Sequence, residues 1–310
     1  GIFSGRYTST IVGPGYIAKK ILADLGIRVV SYVKELAGVH CPPVDVKKII
    51  KYTDDCKRMR HDHDPFYQEI YVKKRITPDM RFLEKMAVLA KVEKEIPKIR
   101  KKAPAFNAAG IKRKYKVHAV LNCPDIDAAE EMVAACNRIS ATGDSAGGLV
   151  EVVVTGMPAG VGEPVFDKLD GELGKLMGIG AVKGVEVGAG FATKDMTGYE
   201  CNDQMRTKKG KVVFDSNNAG GITGGVTTGQ DIIIRVAVKP TPTIDRAQHT
   251  IDKYTLKNKM LEAITRRDPT IVARIWPVAE NYTAMILLDH LIAQFGYQKL
   301  LGLYNKPSKK

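Results

Sequence analysis

The middle of the chain contains Gly148-Leu-Val-Glu-Val-Val-Val-Thr-Gly156, a run of strand-forming residues with a glycine at each end. Two similar runs follow it, Ala181-Val-Lys-Gly-Val-Glu-Val-Gly188 and Asp231-Ile-Ile-Ile-Arg-Val-Ala-Val-Lys239. Of the 29 glycines in the sequence, 20 lie between Gly143 and Gly229, around these runs. Glycine that punctuates strands marks tight bends, or places where the backbone approaches another group closely. The pattern predicts a β-sheet whose loops lie against a flat or phosphorylated ligand.

Weaker patterns along the rest of the chain predict further helices and strands. Apolar spacing and flanking prolines predict helices over residues 8–25, 78–95, 125–139, 165–177 and 281–294. Alternating or β-branched runs predict strands over residues 27–33, 115–121, 149–154, 182–187, 212–214 and 232–238. The helices lie between strands without the regular βαβ repeat of a parallel sheet. The sequence therefore predicts a layered α+β domain.

Composition excludes several classes of protein. The 310 residues are 44% hydrophobic, yet they contain no apolar run long enough to cross a membrane, and the first residues show no signal peptide. The five cysteines are an odd number without a Cys-x-x-Cys pair. This usage is typical of reduced thiols and argues against a disulfide scaffold or a zinc ribbon. We therefore expect a soluble cytoplasmic protein.

The net charge of +14 is concentrated in one segment. Residues 47–116 hold 21 Lys and Arg against 9 Asp and Glu, an excess of 12 positive charges. A polyanion partner is one interpretation of such a segment, and a solvated basic face is the more common one. We do not expect a nucleic-acid or membrane partner.

Two motifs are similar to catalytic or metal sites but lack the rest of the chemistry. Gly143-Asp-Ser-Ala-Gly-Gly148 is similar to the nucleophile loop of serine proteases. Because spacing identifies no histidine as its base, a turn into the next strand is favoured. His61-Asp-His-Asp64 offers four ligands in a row, but neighbouring side chains cannot converge on one ion without a special loop. We expect no metal site, and no Walker or dinucleotide-binding motif is present.

Three basic clusters are suited to binding phosphate. Lys239-Pro-Thr-Pro-Thr243 follows a strand directly and offers a cation, two hydroxyls and a stiff backbone. Arg266-Arg-Asp-Pro269 places two guanidinium groups beside a carboxylate that could accept a proton. Arg6, with Ser4 and Thr8, could form a third anion site at the start of the first helix. Each cluster alone is also compatible with a surface ion pair or a turn.

Taken in order along the chain, several of these stretches resemble chorismate synthase. The segments that carry the resemblance are Phe3-Ser-Gly-Arg-Tyr-Thr8, Gly143-Asp-Ser-Ala-Gly-Gly-Leu-Val-Glu-Val-Val-Val154, Gly160-Val-Gly-Glu-Pro-Val-Phe-Asp-Lys-Leu-Asp170, Ala181-Val-Lys-Gly-Val-Glu-Val-Gly-Ala-Gly-Phe191, Asn217-Asn-Ala-Gly-Gly-Ile-Thr-Gly-Gly225, Lys239-Pro-Thr-Pro-Thr243, Thr265-Arg-Arg-Asp-Pro269 and Ala273-Arg-Ile-Trp-Pro-Val278. The opening motif has a form similar to that of archaeal members.

The resemblance implies a β-α-β sandwich, with helices packed between antiparallel sheets, and a homotetrameric assembly. It implies an enzyme that converts 5-enolpyruvylshikimate 3-phosphate to chorismate by 1,4-elimination of phosphate and requires reduced FMN (FMNH2). Asp268 matches a carboxylate that assists proton transfer, and Arg6 matches a substrate-binding arginine. The positions that match flavin contacts are Ser4, Gly180, Ala181, Gly224, Lys239, Pro240, Thr241, Pro242, Thr243 and Arg266.

The sequence departs from the family pattern in two regions. It begins inside a motif and contains neither Gly-Glu-Ser-His-Gly nor Arg-Pro-Gly-His-Ala-Asp, the histidine motifs of the family's N-terminal part. We therefore expect residues 1–310 to be one N-terminally incomplete domain. We also expect a basic insertion at about residues 54–112 that can be removed without unfolding the rest. The alternative hypothesis is an inactive truncated relative that binds flavin or a polyanion.

On this basis, the 310-residue chain alone should form little or no chorismate from the substrate and reduced FMN. The reason is that the two motif histidines are absent, and general acid–base groups contribute about a hundred- to ten-thousandfold each. An anaerobic assay of the purified chain measures this directly. Turnover equal to that of complete family members would mean that other residues replace the histidines.

Overall fold

A computed structural model describes residues 5–63, 121–263 and 268–297, together with five single positions between residues 80 and 95. The chain divides into two compact units, one formed by residues 1–42 and 127–310 and the other by residues 43–126. Within the described ranges, no helix is both long enough and apolar enough to cross a membrane.

Helices and short antiparallel strands together build the described part of the chain. The helices are α1 (Ser9–Asp24), α2 (Val46–His63), α3 (Ile126–Ala141), α4 (Leu169–Leu173), α5 (Gly198–Cys201) and α6 (Val272–Phe295), with 3₁₀ turns at Gly5–Thr8, Gly174–Gly178 and Gly190–Asp195. The strands are β1 (Arg28–Leu36), β2 (Val39–His40), β3 (Gly148–Thr155), β4 (Val182–Val187), β5 (Met205–Lys208), β6 (Lys211–Phe214), β7 (Ile222–Thr223), β8 (Val226–Thr227), β9 (Ile232–Val238), β10 (Gln248–Ile251) and β11 (Asn258–Leu261). These elements confirm the predicted α+β class.

Five strands of the first unit form one antiparallel sheet in the order β2-β1-β3-β9-β4. Burial alternates along β9, as expected for a strand with one face on the core. Ile234 is fully buried, and its partner Val152 on β3 is fully buried as well. Val152 pairs in turn with Ser31 on β1. Helix α6 packs on this face against β1 and β3, and α1 packs against α6.

A buried carboxylate ties α1, β1 and α6 together. Glu280 of α6 is only 3% exposed. Its Oε2 accepts hydrogen bonds from the backbone N–H of Ser31 at 2.7 Å and from the Ser31 hydroxyl at 3.0 Å, while Oε1 forms an ion pair with Lys19 of α1. The Ser31 N–H belongs to the part of β1 that β2 does not pair. The carboxylate therefore stands in for a missing neighbouring strand and satisfies a donor that would otherwise be buried alone.

The opposite face of the sheet carries a row of polar side chains that crosses four strands. Tyr32 of β1, Glu151 of β3, Arg235 of β9 and Glu186 of β4 are successive partners in the register. The Tyr32 hydroxyl donates to Glu151 Oε1 at 2.5 Å, and Arg235 Nε donates to Glu186 Oε1 at 2.5 Å. Arg235 also donates to the carbonyl of Gly188. Because each group faces a partner, the row fixes the relative position of the four strands.

The second unit contains α2, which has its own apolar side. Ile49, Tyr52 and Cys56 are buried on this helix, as is Cys123 later in the unit. Burial, and secondarily the neighbouring thiol of Cys56, raises the pKa of the Tyr52 hydroxyl above its usual range. The expected start of the insertion near residue 54 lies inside α2, whereas the unit itself begins at residue 43. The extent and role of the insertion remain predictions.

Several sequence predictions were close, and others were wrong at identifiable residues. The strands predicted over residues 149–154, 182–187, 212–214 and 232–238 are present, as are the helices over 8–25 and 125–139. The helix predicted from residue 165 begins only at Leu169, because the chain bends after Pro164. The last helix begins at Val272, nine residues before the prediction, and continues through Pro277. The strands β5, β10 and β11 were not predicted, since they are short and exposed.

Two predicted elements fall mainly outside the described residues. Of the helix over residues 78–95, the described positions Glu84, Val88, Lys91 and Glu95 are helical. Of the strand over residues 115–121, only Leu121 is described, and it is helical.

Replacing Glu280 with alanine should lower the free energy of unfolding by about 3–5 kcal/mol, because it leaves a half-buried ammonium and a buried N–H without their carboxylate. Urea denaturation followed by circular dichroism measures the change. The matched control is Glu131→Ala, which breaks an ion pair with Arg138 whose side chains are more than half exposed. That control should cost less than about 1 kcal/mol, since solvent screens the pair. Equal effects of the two variants would show that Glu280 does not hold the elements together.

Candidate active site

One end of the large sheet brings together several of the residues singled out in the sequence. At this end β9 finishes at Val238, β4 starts at Val182, and these two residues are paired. The N–H of Lys239, directly after β9, donates to the carbonyl of Ala181 at 3.0 Å. Ala181 has a positive φ of 73°, a left-handed conformation that is uncommon for a residue with a side chain. The structure thus places Ala181 against the start of the Lys239–Thr243 segment.

Thr241 joins this segment to two other loops. Its carbonyl accepts a hydrogen bond from the Ser145 hydroxyl at 2.7 Å, and its own hydroxyl donates to the carbonyl of Asp268 at 3.1 Å. The N–H of Ala146 donates to the carbonyl of Pro269 at 2.8 Å. These hydrogen bonds therefore connect the loop before β3, the loop after β9 and the Asp268–Pro269 turn. Ser145 has a structural partner, in agreement with the turn predicted for the Gly143–Gly148 motif.

This end of the sheet carries a lysine ammonium and an aspartate carboxylate, and only the carboxylate has an ion-pair partner among the described residues. Lys239 is exposed, and its ammonium forms no ion pair with the residues that the structure describes. Asp268 is held by Arg274 in the first turn of α6, with both carboxylate oxygens accepting guanidinium N–H groups at 2.8 Å. A bidentate pair fixes the position of the carboxylate as well as its charge. Among the described residues, the site therefore combines a cation that has no ion-pair partner with a positioned carboxylate.

Arg274 is the residue that sequence reasoning missed. It lies in the Ala273–Val278 motif, six residues after Asp268, but no role was predicted for it. A usable signal was present, because Asp268 precedes a helix and a first-turn side chain can reach back to such a residue. The two guanidinium groups that the sequence placed beside Asp268, Arg266 and Arg267, lie outside the described residues.

Glycines in the loops serve two different purposes. A Cβ atom on Gly147 would lie 2.6 Å from the carbonyl oxygen of Val238, and one on Gly143 would lie 2.6 Å from that of Asp245. At these positions glycine allows protein backbones to meet, so no ligand is needed to explain them. Added Cβ atoms on Gly180 and Gly224 would instead meet open space. The predicted ligand contact remains a prediction at these two glycines.

Gly224 lies at the other end of the sheet. It forms the turn between β7 and β8, and the carbonyl of the next residue, Gly225, accepts a hydrogen bond from the N–H of Leu169 at 3.1 Å. Val226 bridges to Gly162, in the loop that follows the end of β3. A seven-residue strand such as β9 spans about 20 Å, and Lys239 follows its far end. The structure therefore does not bring Gly224 beside Lys239 in one chain.

The remaining predicted site residues are only partly described. Ser4 and Arg266 lie outside the described residues, as does the side chain of Arg6, whose backbone belongs to the 3₁₀ turn Gly5–Thr8. Pro240, Pro242 and Thr243 follow Lys239 on the surface. The side chains of the His61–Asp64 stretch are likewise not described, and no group of three or more His, Cys, Asp or Glu elsewhere in the described part is arranged to hold a metal ion.

Comparison with known proteins shows the family to which the chain belongs. A family model described as chorismate synthase matches residues 1–292. The chain therefore belongs to the chorismate synthase family. The chorismate synthase of Methanosarcina barkeri is 50% identical over 173 residues, which are 56% of this chain and 47% of that protein. The chorismate synthase of Acetivibrio thermocellus is 37% identical over 303 residues, which are 97% of this chain and 61% of that protein.

Other relatives give the same assignment and also define its limits. The chorismate synthase of Methanosarcina acetivorans is 36% identical over 293 residues, which are 94% of this chain and 63% of that protein. The chain thus spans about half to under two thirds of the length of these relatives. A crystal structure of chorismate synthase matches 97% of the chain and 68% of its own length with a TM-score of 0.60 at 22% identity, which confirms the fold. The comparisons do not support the alternative of a separate flavin- or polyanion-binding module.

Proposed function

We propose that this chain forms the flavin- and phosphate-binding part of a chorismate synthase. The reaction is the 1,4-elimination of phosphate from 5-enolpyruvylshikimate 3-phosphate to give chorismate, with reduced FMN as the required cofactor, in the cytoplasm. The observation that carries the proposal is the meeting of Ala181, Lys239–Thr243 and Asp268 at one end of the sheet. These three segments are far apart in sequence, and each matches a site position implied by the family resemblance.

The residues present fit a flavin phosphate and ring. Lys239 provides an exposed cation, and the open space beside Gly180 allows a flat group to approach the backbone. Gly180, Ala181 and Lys239–Thr243 would hold the cofactor, with Ser4 and Arg266 completing the site. When bound there, reduced FMN would supply transient electron density for the elimination without net redox change.

The protein's own contribution to the elimination is electrostatic and proton-transferring. Loss of phosphate builds negative charge on the leaving group, and Arg6 stabilises that charge as the substrate-binding arginine. Asp268 accepts or relays a proton at its carboxylate. Arg274 keeps that carboxylate in one orientation through its two hydrogen bonds, so we assign it a positioning role.

The homotetramer expected for this family would explain the position of Gly224. This turn faces open space at the end of the sheet opposite Lys239. A second copy of the chain could present its Gly224 to the flavin held at the first copy's Lys239. We propose that the flavin site is shared between two copies in this way.

Substitutions at Asp268, Arg266 and Arg274 should affect the enzyme differently. Activity is measured in a fusion that supplies a segment with both histidine motifs, beside titration of FMN fluorescence. Asp268→Asn should cut turnover by about a hundredfold or more while leaving flavin affinity nearly unchanged, because it removes basicity and keeps the shape. Arg266→Ala should weaken flavin binding and slow turnover together, since it removes a charge-assisted phosphate contact.

Arg274→Ala should reduce turnover like Asp268→Asn, and Arg274→Lys should restore only part of it, because lysine cannot make the bidentate contact. The matched control is Arg246→Ala, which breaks an exposed Arg–Asp pair with Asp144 near the same end of the sheet. That variant should keep the parent rate. If Asp268→Asn also kept the parent rate, Asp268 would be only an ion-pair partner of Arg274.

Mixing two defective variants tests the shared site. Gly224→Glu and Lys239→Ala should each bind FMN poorly as pure proteins, because one blocks the open space and the other removes the phosphate cation. Co-expressed chains should regain part of the binding, since a mixed pair contains one intact site. Absence of any recovery in mixtures shown by mass measurement to contain both variants would place Gly224 outside the shared site.

A further inference from the structure

A cavity lies at the end of the sheet away from Lys239. It has a volume of about 490 Å³, opens to solvent, and is lined by the loop after Gly162, helix α4 with the following 3₁₀ turn, and the last turns of α6. Glu163, Asp167, Glu172 and Asp289 contribute four carboxylates to its lining, and Lys175 contributes one ammonium. None of these residues belongs to the flavin-binding segments described above. The volume falls in the range of small-molecule sites.

The charge of the cavity is strongly negative despite the net charge of +14 on the chain. Lys175 forms an ion pair with Glu172, and this hydrogen bond raises the pKa of the Lys175 ammonium. The charges of these two groups therefore offset each other. In the described part of the chain, the carboxylates of Glu163, Asp167 and Asp289 form no ion pair or hydrogen bond. The C-terminal end of α6 adds the negative end of a helix dipole to the same wall.

A buried histidine points independently to a ligand. His290 of α6 lines the cavity and is only 9% exposed. Its ring has no hydrogen-bond partner among the residues that the structure describes. Its ring nitrogens are not sealed inside the protein, so a group in the cavity can reach them. In its neutral form an imidazole has one nitrogen that accepts a hydrogen bond, which an N–H group in the cavity would satisfy.

We propose that this cavity binds a small organic cation with two or more amino groups. Such a molecule offers N–H donors to His290 and positive charge to Asp167, Asp289 and Glu163. A single metal ion does not fit, because no group of three or more His, Cys, Asp or Glu in the described part is arranged to hold one. The excess of carboxylates also excludes anions such as a flavin or substrate phosphate. The proposal is independent of the activity assigned to the other end of the sheet.

Calorimetric titration of the whole chain with putrescine tests the proposal. We expect one binding site per chain, no binding of the uncharged diol of the same carbon length, and weaker binding as salt is added. The double variant Asp167→Asn/Asp289→Asn should weaken putrescine binding by at least about tenfold, the effect of losing a charge-assisted hydrogen bond. Both side chains are exposed, so the fold should survive the change.

Two matched variants make the outcome specific. Asp24→Asn/Glu262→Gln removes the same charge from exposed positions outside the cavity and should leave binding unchanged. His290→Leu should weaken binding, whereas His290→Gln should retain more of it because glutamine keeps an accepting oxygen. Equal loss in both double variants, or no binding of putrescine at all, would overturn the proposal. A change of oligomeric state in Asp167→Asn/Asp289→Asn without putrescine binding would also overturn it, since a second copy would then occupy the cavity.

Discussion

The contact of Glu280 with Ser31 and Lys19 is the constraint on which the rest of the first unit depends. One carboxylate joins helix α1 near the start of the chain, strand β1 and the long helix α6 near the end. Such a buried charge is stable only while each of its partners is in place. It therefore fixes where α6 crosses the sheet. With α6 held across the sheet at this point, one end of the helix lies at each end of the sheet.

This arrangement separates two chemical environments along one helix. A helix of 24 residues is about 36 Å long, which is more than the length of the strands beneath it. Its first turn holds Asp268 through Arg274, and the carbonyl of Asp268 accepts a hydrogen bond from Thr241, two residues after Lys239. Its last turns carry Asp289 and His290 into an acidic cavity. The dipole of the helix has the matching sign at each end, positive toward the proposed phosphate-binding residues and negative toward the proposed cation site.

The sequence predicted the features that repeat locally and missed those that depend on distant partners. The alternation along β9 and the glycine-bounded run at β3 were sufficient to predict both strands. Lys239–Thr243 and Asp268 could be recognised because their motifs are contiguous. Glu280 gave no such signal, since its partner Ser31 lies 249 residues away. The sequence also could not predict why each loop residue is glycine, because only the fold shows whether an added Cβ atom would meet backbone or open space.

The position of Gly224 shows why family resemblance and geometry have to be weighed together. Resemblance groups Gly224 and Lys239 as contacts of one flavin, whereas the sheet register separates them along the length of β9. Close backbone packing of Gly220 on Gly188 holds the loop before β7, and the N–H of Lys239 is bonded to the carbonyl of Ala181 at the other end. A second copy of the chain, as proposed above, would reconcile the two observations. Oligomerisation would then be a requirement of cofactor binding in this protein, since no single copy would contain the whole site.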